Sequence, residues 1–183
     1  MNHLAPFLLT HELAGHLAGA GRVLTTSSEA HRSGHVDTER PVQVEGLSEW
    51  SAYADSKLAN VLFTRELARR LPEGYTANCF HPGVIPGSGF SRGVPFPLNL
   101  GWTAIRFVPG MADTVADGGR ALAYLAASPE VAGVSGAYVD GTRRRRPARS
   151  ARGDRTARRL WDASADLVGV DPAFPFEETT AVE

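Results

Sequence analysis

Arg22-Val23-Leu24-Thr25-Thr26-Ser27-Ser28 is the stretch on which the fold turns. Arg22 to Thr26 is short, apolar and β-branched, which suits a strand buried on both faces, and it runs directly into two serines. Working outward, residues 3 to 19 carry Leu4, Phe7, Leu8, Leu13 and Leu17 at helical spacing and end in Gly19-Ala20-Gly21, so a helix precedes the strand. Residues 29 to 49 are polar and unpatterned, whereas 51 to 70 repeat apolar positions at Leu58, Val61, Leu62 and Leu67 and close at Pro72 and Gly74. A second strand, Thr76 to Phe80, is broken by His81-Pro82-Gly83 into a loop reaching about residue 111. Asp113 is expected to cap a helix to Ala127, Gly136 to Val139 to form a short strand, and Asp154 to Val168 a last helix before an acidic tail over 170–183. Helices and strands alternate throughout, which predicts parallel strands joined by crossover helices in an α/β fold.

Composition narrows the function classes. With 183 residues, 43% of them hydrophobic, the chain has enough apolar material for one core but not two. A formal charge of -1 gives no global attraction to nucleic acid or anionic lipid. The arginines at 143–146, 149, 152, 155, 158 and 159 form a local basic patch without aromatic interleaving, so no nucleic-acid partner is expected. Cys79, the lone cysteine, excludes an internal disulfide and a thiolate metal cluster, which fits a reducing cytoplasm. His11 and His16 are five apart rather than four, so they fall on different helix faces and no metal site is expected. No stretch has the length and apolarity of a membrane span.

Tyr53 and Lys57, four apart, stack on one face of the second helix together with Asn60 and Thr64. Such spacing alone describes a solvated face far more often than a site. What distinguishes it is that Lys57 is the single lysine among 19 basic residues. A surface cation can be either residue, whereas a compact ammonium beside a phenol cannot easily be replaced by a planar guanidinium. An ammonium next to a tyrosine favours the phenolate, so Tyr53 is a candidate proton donor and acceptor. Ser28, at the strand exit, could hydrogen-bond a substrate oxygen whose charge changes. It could equally cap a turn.

Leu24-Thr25-Thr26-Ser27-Ser28-Glu29-Ala30-His31 and Tyr53-Ala54-Asp55-Ser56-Lys57-Leu58-Ala59-Asn60, running on through Val61-Leu62-Phe63-Thr64-Arg65-Glu66-Leu67, resemble the retinol-dehydrogenase-like branch of the short-chain dehydrogenase/reductase family. Asn2-His3-Leu4 with Phe7-Leu8-Leu9-Thr10 resembles the helix bearing the family's catalytic asparagine. His81-Pro82-Gly83 resembles the turn after its sixth strand, and Arg158-Arg159-Leu160-Trp161 to Leu167-Val168-Gly169 its C-terminal helix. The resemblance implies a partial Rossmann-like, doubly wound parallel sheet over residues 1–169. It implies NADP or NAD as cofactor and an apolar alcohol or carbonyl substrate. Tyr53 would be the general acid/base, Lys57 would assist it and bind the nicotinamide ribose, Ser28 would position the substrate, and Asn2 would hold the relay water. Pro82 and Gly83 would shape the nicotinamide pocket, with Ser88 on the carboxamide. In the family the helices matching 3–19 and 51–70 pair subunits, which implies a homo-oligomer.

The family binds pyrophosphate on a strand, glycine-rich turn and helix. Gly15-x-x-x-Gly19-x-Gly21 has that glycine spacing but leads from a helix into a strand, the reverse order, and is read as a helix stop. The sequence is therefore expected to be the later part of such a domain, truncated before its dinucleotide-binding half. The rival reading is a non-catalytic remnant that serves as a subunit-interaction module. Phe90, Phe96, Trp102 and Phe107 in the long loop either meet an apolar substrate or simply pack the loop. Calorimetric titration of NADH and NADPH into this chain alone is expected to give no measurable binding. A dissociation constant in the micromolar range, about -8 kcal/mol, would contradict that expectation.

Overall fold

The computed structural model describes residues 1–17, 20–39, 46–85 and 113–176. Helix α1 (Leu4–Ala14) leads to strand β1 (Gly21–Thr26), a short 3-10 turn (Glu29–Arg32) and the long helix α2 (Glu49–Arg70). Strand β2 (Tyr75–His81), helix α3 (Val115–Ala127), strands β3 (Tyr138–Asp140) and β4 (Arg143–Arg145), and helix α4 (Asp154–Val168) follow. The sheet order is β1-β2-β3-β4. β1 runs parallel to β2 with Gly21 opposite Tyr75 and Thr26 opposite Phe80, and β3 is parallel to β2.

The strand pleat divides the core into two layers, because alternate side chains leave opposite faces. Val23, Ala77, Cys79 and Tyr138 meet α2 and α4, whereas Leu24, Phe80 and Val139 meet Leu125 of α3 and Val131. Helices cover both faces, the doubly wound arrangement expected of α/β alternation. The first layer is anchored on Trp161, whose ring lies 5.0 Å from Phe7, 5.7 Å from Phe63 and 4.4 Å from Phe174. Its indole N–H donates to the Pro172 carbonyl at 2.9 Å. The residues after Gly169 thus return to the core: Val170, Phe174 and Phe176 pack against this cluster.

Several boundaries differ from expectation for local reasons. The helix predicted over 3–19 stops at Ala14, with Gly15 as its C-cap. α2 begins two residues early because the Ser48 hydroxyl accepts from the Ser51 N–H and caps it. Thr114, not Asp113, caps α3, through a capping box in which Asp117 answers the threonine. Gly136 takes a left-handed turn whose N–H reaches the Ala77 carbonyl, so β3 starts at Tyr138. β4 adds an unforeseen antiparallel edge to the expected parallel sheet: Arg143, Arg144 and Arg145 pair with Asp140, Val139 and Tyr138. Charged residues are a common edge-strand device.

Replacing Trp161 with alanine empties the centre of this cluster, and a buried aromatic truncated to alanine costs about 3–5 kcal/mol. Urea denaturation of Trp161→Ala is expected to show a loss of that size. A loss under about 1 kcal/mol would mean that the cluster does not carry the first layer.

Candidate active site

Strands β1 and β2 are parallel, so their C-terminal ends open on one edge of the sheet, where α/β folds bind ligands. At the end of β1 the Thr26 carbonyl accepts two side-chain donors from α2, Lys57 Nζ at 3.3 Å and Asn60 Nδ2 at 3.1 Å. Ser27 answers in the other direction: its hydroxyl donates to the Lys57 carbonyl at 2.9 Å, and its N–H to the Phe80 carbonyl at 2.8 Å. The lysine ammonium lies 5.5 Å from the centroid of the Tyr53 ring, a cation-π distance. Tyr53, Lys57 and the strand end that leads into Ser28 are therefore brought together by one helix–strand junction.

The polar face of α2 turns inward along its later turns. Asn60 and Thr64 are both buried, with the Thr64 hydroxyl donating to the Asn60 carbonyl at 2.8 Å. Burial lowers the Lys57 pKa from the usual lysine range, with the neighbouring Cys79 thiol opposing. Burial pushes that thiol up to about 12, so Cys79 stays protonated beneath the site. A half-buried ammonium with a backbone carbonyl as anchor is poised to act on a hydroxyl or phenol beside it.

The end of β2, on the same edge of the sheet, leads into a clamped turn. Gly83 has φ +96, and a Cβ there would fall 2.3 Å from Asp113 Oδ2. That carboxylate accepts from the Val84 N–H at 2.8 Å, and the Asp113 N–H donates to the Val84 carbonyl at 2.7 Å. Asp113, read from the sequence as a helix cap, is a clamp on the turn after Pro82. The Pro82 carbonyl would lie 3.1 Å from a Cβ at Gly118, so the first turn of α3 also closes on this turn.

No protein-family model matches the chain. It is 40% identical to human retinol dehydrogenase 13 over 185 residues, covering 93% of this chain and 53% of that protein. It is 41% identical to the bovine dehydrogenase/reductase SDR family member 13, covering 94% of this chain and 46% of that protein. This chain belongs to the short-chain dehydrogenase/reductase family. It spans about half the length of the curated relatives it matches. Among solved structures, an uncharacterized protein from Mycobacterium paratuberculosis superposes with TM-score 0.67 and 28% identity over 96% of this chain and 59% of that one. A protein described as a short chain dehydrogenase from Shigella flexneri, in complex with NADP, shares the fold at TM-score 0.54 and 24% identity, over 78% of this chain and 51% of that one.

Of the residues that the family resemblance singles out, Ser28 caps the 3-10 turn, its hydroxyl accepting from the Ala30 N–H at 3.3 Å. Asn2 is exposed in the turn before α1, and its neighbour His3 is partly buried, with Nε2 2.9 Å from the Ser164 hydroxyl and a pKa lowered to about 4 by desolvation. Ser88, and the loop aromatics Phe90, Phe96, Trp102 and Phe107, lie outside the described residues. Among the described residues, no three metal-ligating side chains converge. The helical His11 sits against Glu12 at 3.3 Å and edge-on to Phe174. Ser27 and Asn60, which tie α2 to the end of β1, were not singled out as anchors from sequence, although Ser27 precedes Ser28 and Asn60 shares the face of Tyr53 and Lys57.

Gly34 lets the loop before α2 press against the helix backbone at the turn carrying Tyr53. A Cβ there would lie 2.5 Å from the Ala54 carbonyl and 3.0 Å from Leu58 Cβ. Gly34→Ala is expected to lower stability by about 1–3 kcal/mol, the usual cost of overpacking. Differential scanning calorimetry checks it. An unchanged melting temperature would show that the loop can back away freely.

Proposed function

We propose that this chain carries the proton-transferring side of an NAD(P)-dependent oxidoreductase acting on an apolar alcohol or carbonyl compound. The observation that carries the reading is the half-buried Lys57 ammonium, tethered to the Thr26 carbonyl and lying over the Tyr53 ring at the C-terminal edge of two parallel strands. The likeness to human retinol dehydrogenase 13 supports the choice of chemistry, and the NADP complex of the Shigella flexneri protein supports the choice of cofactor.

The donor set suits the nicotinamide end of such a cofactor. Lys57 offers N–H donors for ribose hydroxyls, and the turn at Pro82 and Gly83 offers a wall for the ring, with Ser88 proposed for the carboxamide. When bound, the cofactor would donate or accept the hydride. Tyr53 would give a proton to the carbonyl oxygen or take one from the alcohol. Lys57 would bring a positive charge beside Tyr53, its carbonyl tether at Thr26 keeping the ammonium over that ring. Ser28 would hydrogen-bond the same substrate oxygen, and Asn2 would hold the relay water that returns protons to solvent. The glycine-rich pyrophosphate loop is not among these residues, so the dinucleotide would be held jointly with a segment of the kind found in longer relatives.

The exposed apolar side chains of α1, Leu9 and Leu13, and Trp50 on α2, favour a second role in pairing with another copy through these helices. The rival reading, a non-catalytic remnant, takes this pairing as the chain's sole role, with the site inert. A reducing cytoplasm suits the free buried Cys79.

In the chain joined to the glycine-rich half of a relative, Tyr53→Phe is expected to abolish turnover, a fall of at least about 100-fold in kcat, while dinucleotide affinity changes little. Lys57→Arg is expected to lose most activity despite its retained charge. Steady-state kinetics beside cofactor titration checks both, and an active Tyr53→Phe variant would remove the proposed role.

A further inference from the structure

His31 is fully buried and both of its ring nitrogens are engaged by backbone. Nδ1 lies 2.7 Å from the Ser28 carbonyl, and Nε2 lies 3.0 Å from the Ala148 nitrogen. A peptide N–H can only donate, so Nε2 must be the acceptor and carry no proton. Nδ1 must then hold the proton, which it donates to the Ser28 carbonyl. The contacts define one tautomer. The same 3-10 turn is held at two further points: the Tyr138 hydroxyl donates to Glu29 Oε1 at 2.9 Å, and Arg32 donates to the Arg146 carbonyl at 3.3 Å. Ser28 itself sets its hydroxyl by accepting from Ala30, one residue before the histidine.

We infer that His31 is a positioning residue for Ser28, a neutral imidazole bridging the Ser28 carbonyl and the Ala148 amide so that the segment after β4 fixes where the Ser28 hydroxyl points. The inference rests on the proposed role of Ser28 in the reaction site. Without the bridge, Ser28 would keep only contacts from within its own 3-10 turn, the capping bond from Ala30 and the His31 backbone N–H on its carbonyl at 3.0 Å, and a serine hydroxyl rotates readily among staggered positions. With it, the residue's backbone is tied to a part of the chain more than a hundred residues away, beyond both β3 and β4.

Protonation would put an N–H against the Ala148 N–H, so the bridge can exist only in the neutral form. Burial lowers the His31 pKa from the ordinary histidine value, with Arg32 and His81 adding to that and Glu29 and the Ser28 carbonyl opposing it. The Tyr138 ring packs against the imidazole at 4.7 Å. A histidine neutral in the fold but protonated when unfolded contributes stability that is complete above about pH 6.5 and declines as pH falls below it toward the lower folded pKa.

The test is nuclear magnetic resonance on the full chain. At pH 7.5, nitrogen shifts of His31 are expected to report the Nδ1–H tautomer. On acidification, the ring, the Ala148 amide and the Ala30 amide are expected to shift together, with one midpoint below the ordinary histidine range. In His31→Phe, which keeps a ring of similar shape, the Ala30 and Ala148 amides are expected to exchange with solvent at least tenfold faster. Amides around Phe63 and Trp161 should keep their protection, which a merely structural loss would not allow. The Nε2–H tautomer, an ordinary midpoint, or an Ala30 amide indifferent to His31→Phe would each overturn the inference. The tautomer and titration need no variant, so they decide the matter even if His31→Phe fails to fold. None of these readouts depends on turnover, so they stand or fall separately from the oxidoreductase reading, which Ser28→Ala kinetics in the joined protein tests by itself.

Discussion

The Thr26 carbonyl is the constraint on which the site depends. At the end of an ordinary parallel strand this oxygen would face solvent or a loop; here it accepts from both Lys57 and Asn60. Two donors, one turn apart on α2, converge on one acceptor and so fix both the rotation of the helix and its advance along the strand. Ser27 closes the junction by donating back to the Lys57 carbonyl. Everything that could do chemistry follows from that lock, because Tyr53 is carried one turn before Lys57 and Ser28 two residues after Thr26.

The lock is supported from behind by packing. Leu58, Val61, Leu62, Phe63 and Leu67 bury the remaining surface of α2 against the strands and against α4. Phe63 stacks on Trp161, and the segment from Val170 to Phe176 closes over the same rings. Glu66, almost fully buried, receives Arg69 at 2.9 Å and Arg70 at 2.9 Å, so the last turn of α2 carries its own counter-charges. The helix that bears the candidate acid/base is thereby anchored by packing and by ion pairs, as a site needing fixed geometry requires.

Much of this was legible in the sequence, and the parts that were not share a cause. Periodicity located α2, β2 and α4 to within two residues because each buries a continuous apolar set. The lone lysine pointed to Lys57 because the choice between Lys and Arg is a chemical one. Hidden were the features decided by single polar contacts between distant segments. Nothing in Arg143-Arg144-Arg145 announces a strand; it pairs because Tyr138, Val139 and Asp140 offer an open edge. Asp113 looked like a cap, yet the turn at Gly83 and Val84 captured its carboxylate first. Spacing alone did not show what Asn60 and Thr64 meet, because it cannot tell water from a strand end as the partner.

The central claim is that Tyr53, Lys57 and Ser28 form the reaction site of a short-chain dehydrogenase/reductase. Its most direct test mixes this chain with a separately expressed N-terminal half of a longer relative, NADPH deuterated at the transferable C4 position, and an apolar ketone. The product alcohol is then analysed by mass spectrometry. The account predicts one deuterium on the carbinol carbon. A mixed complex that holds NADPH and the ketone yet transfers no deuterium would contradict it.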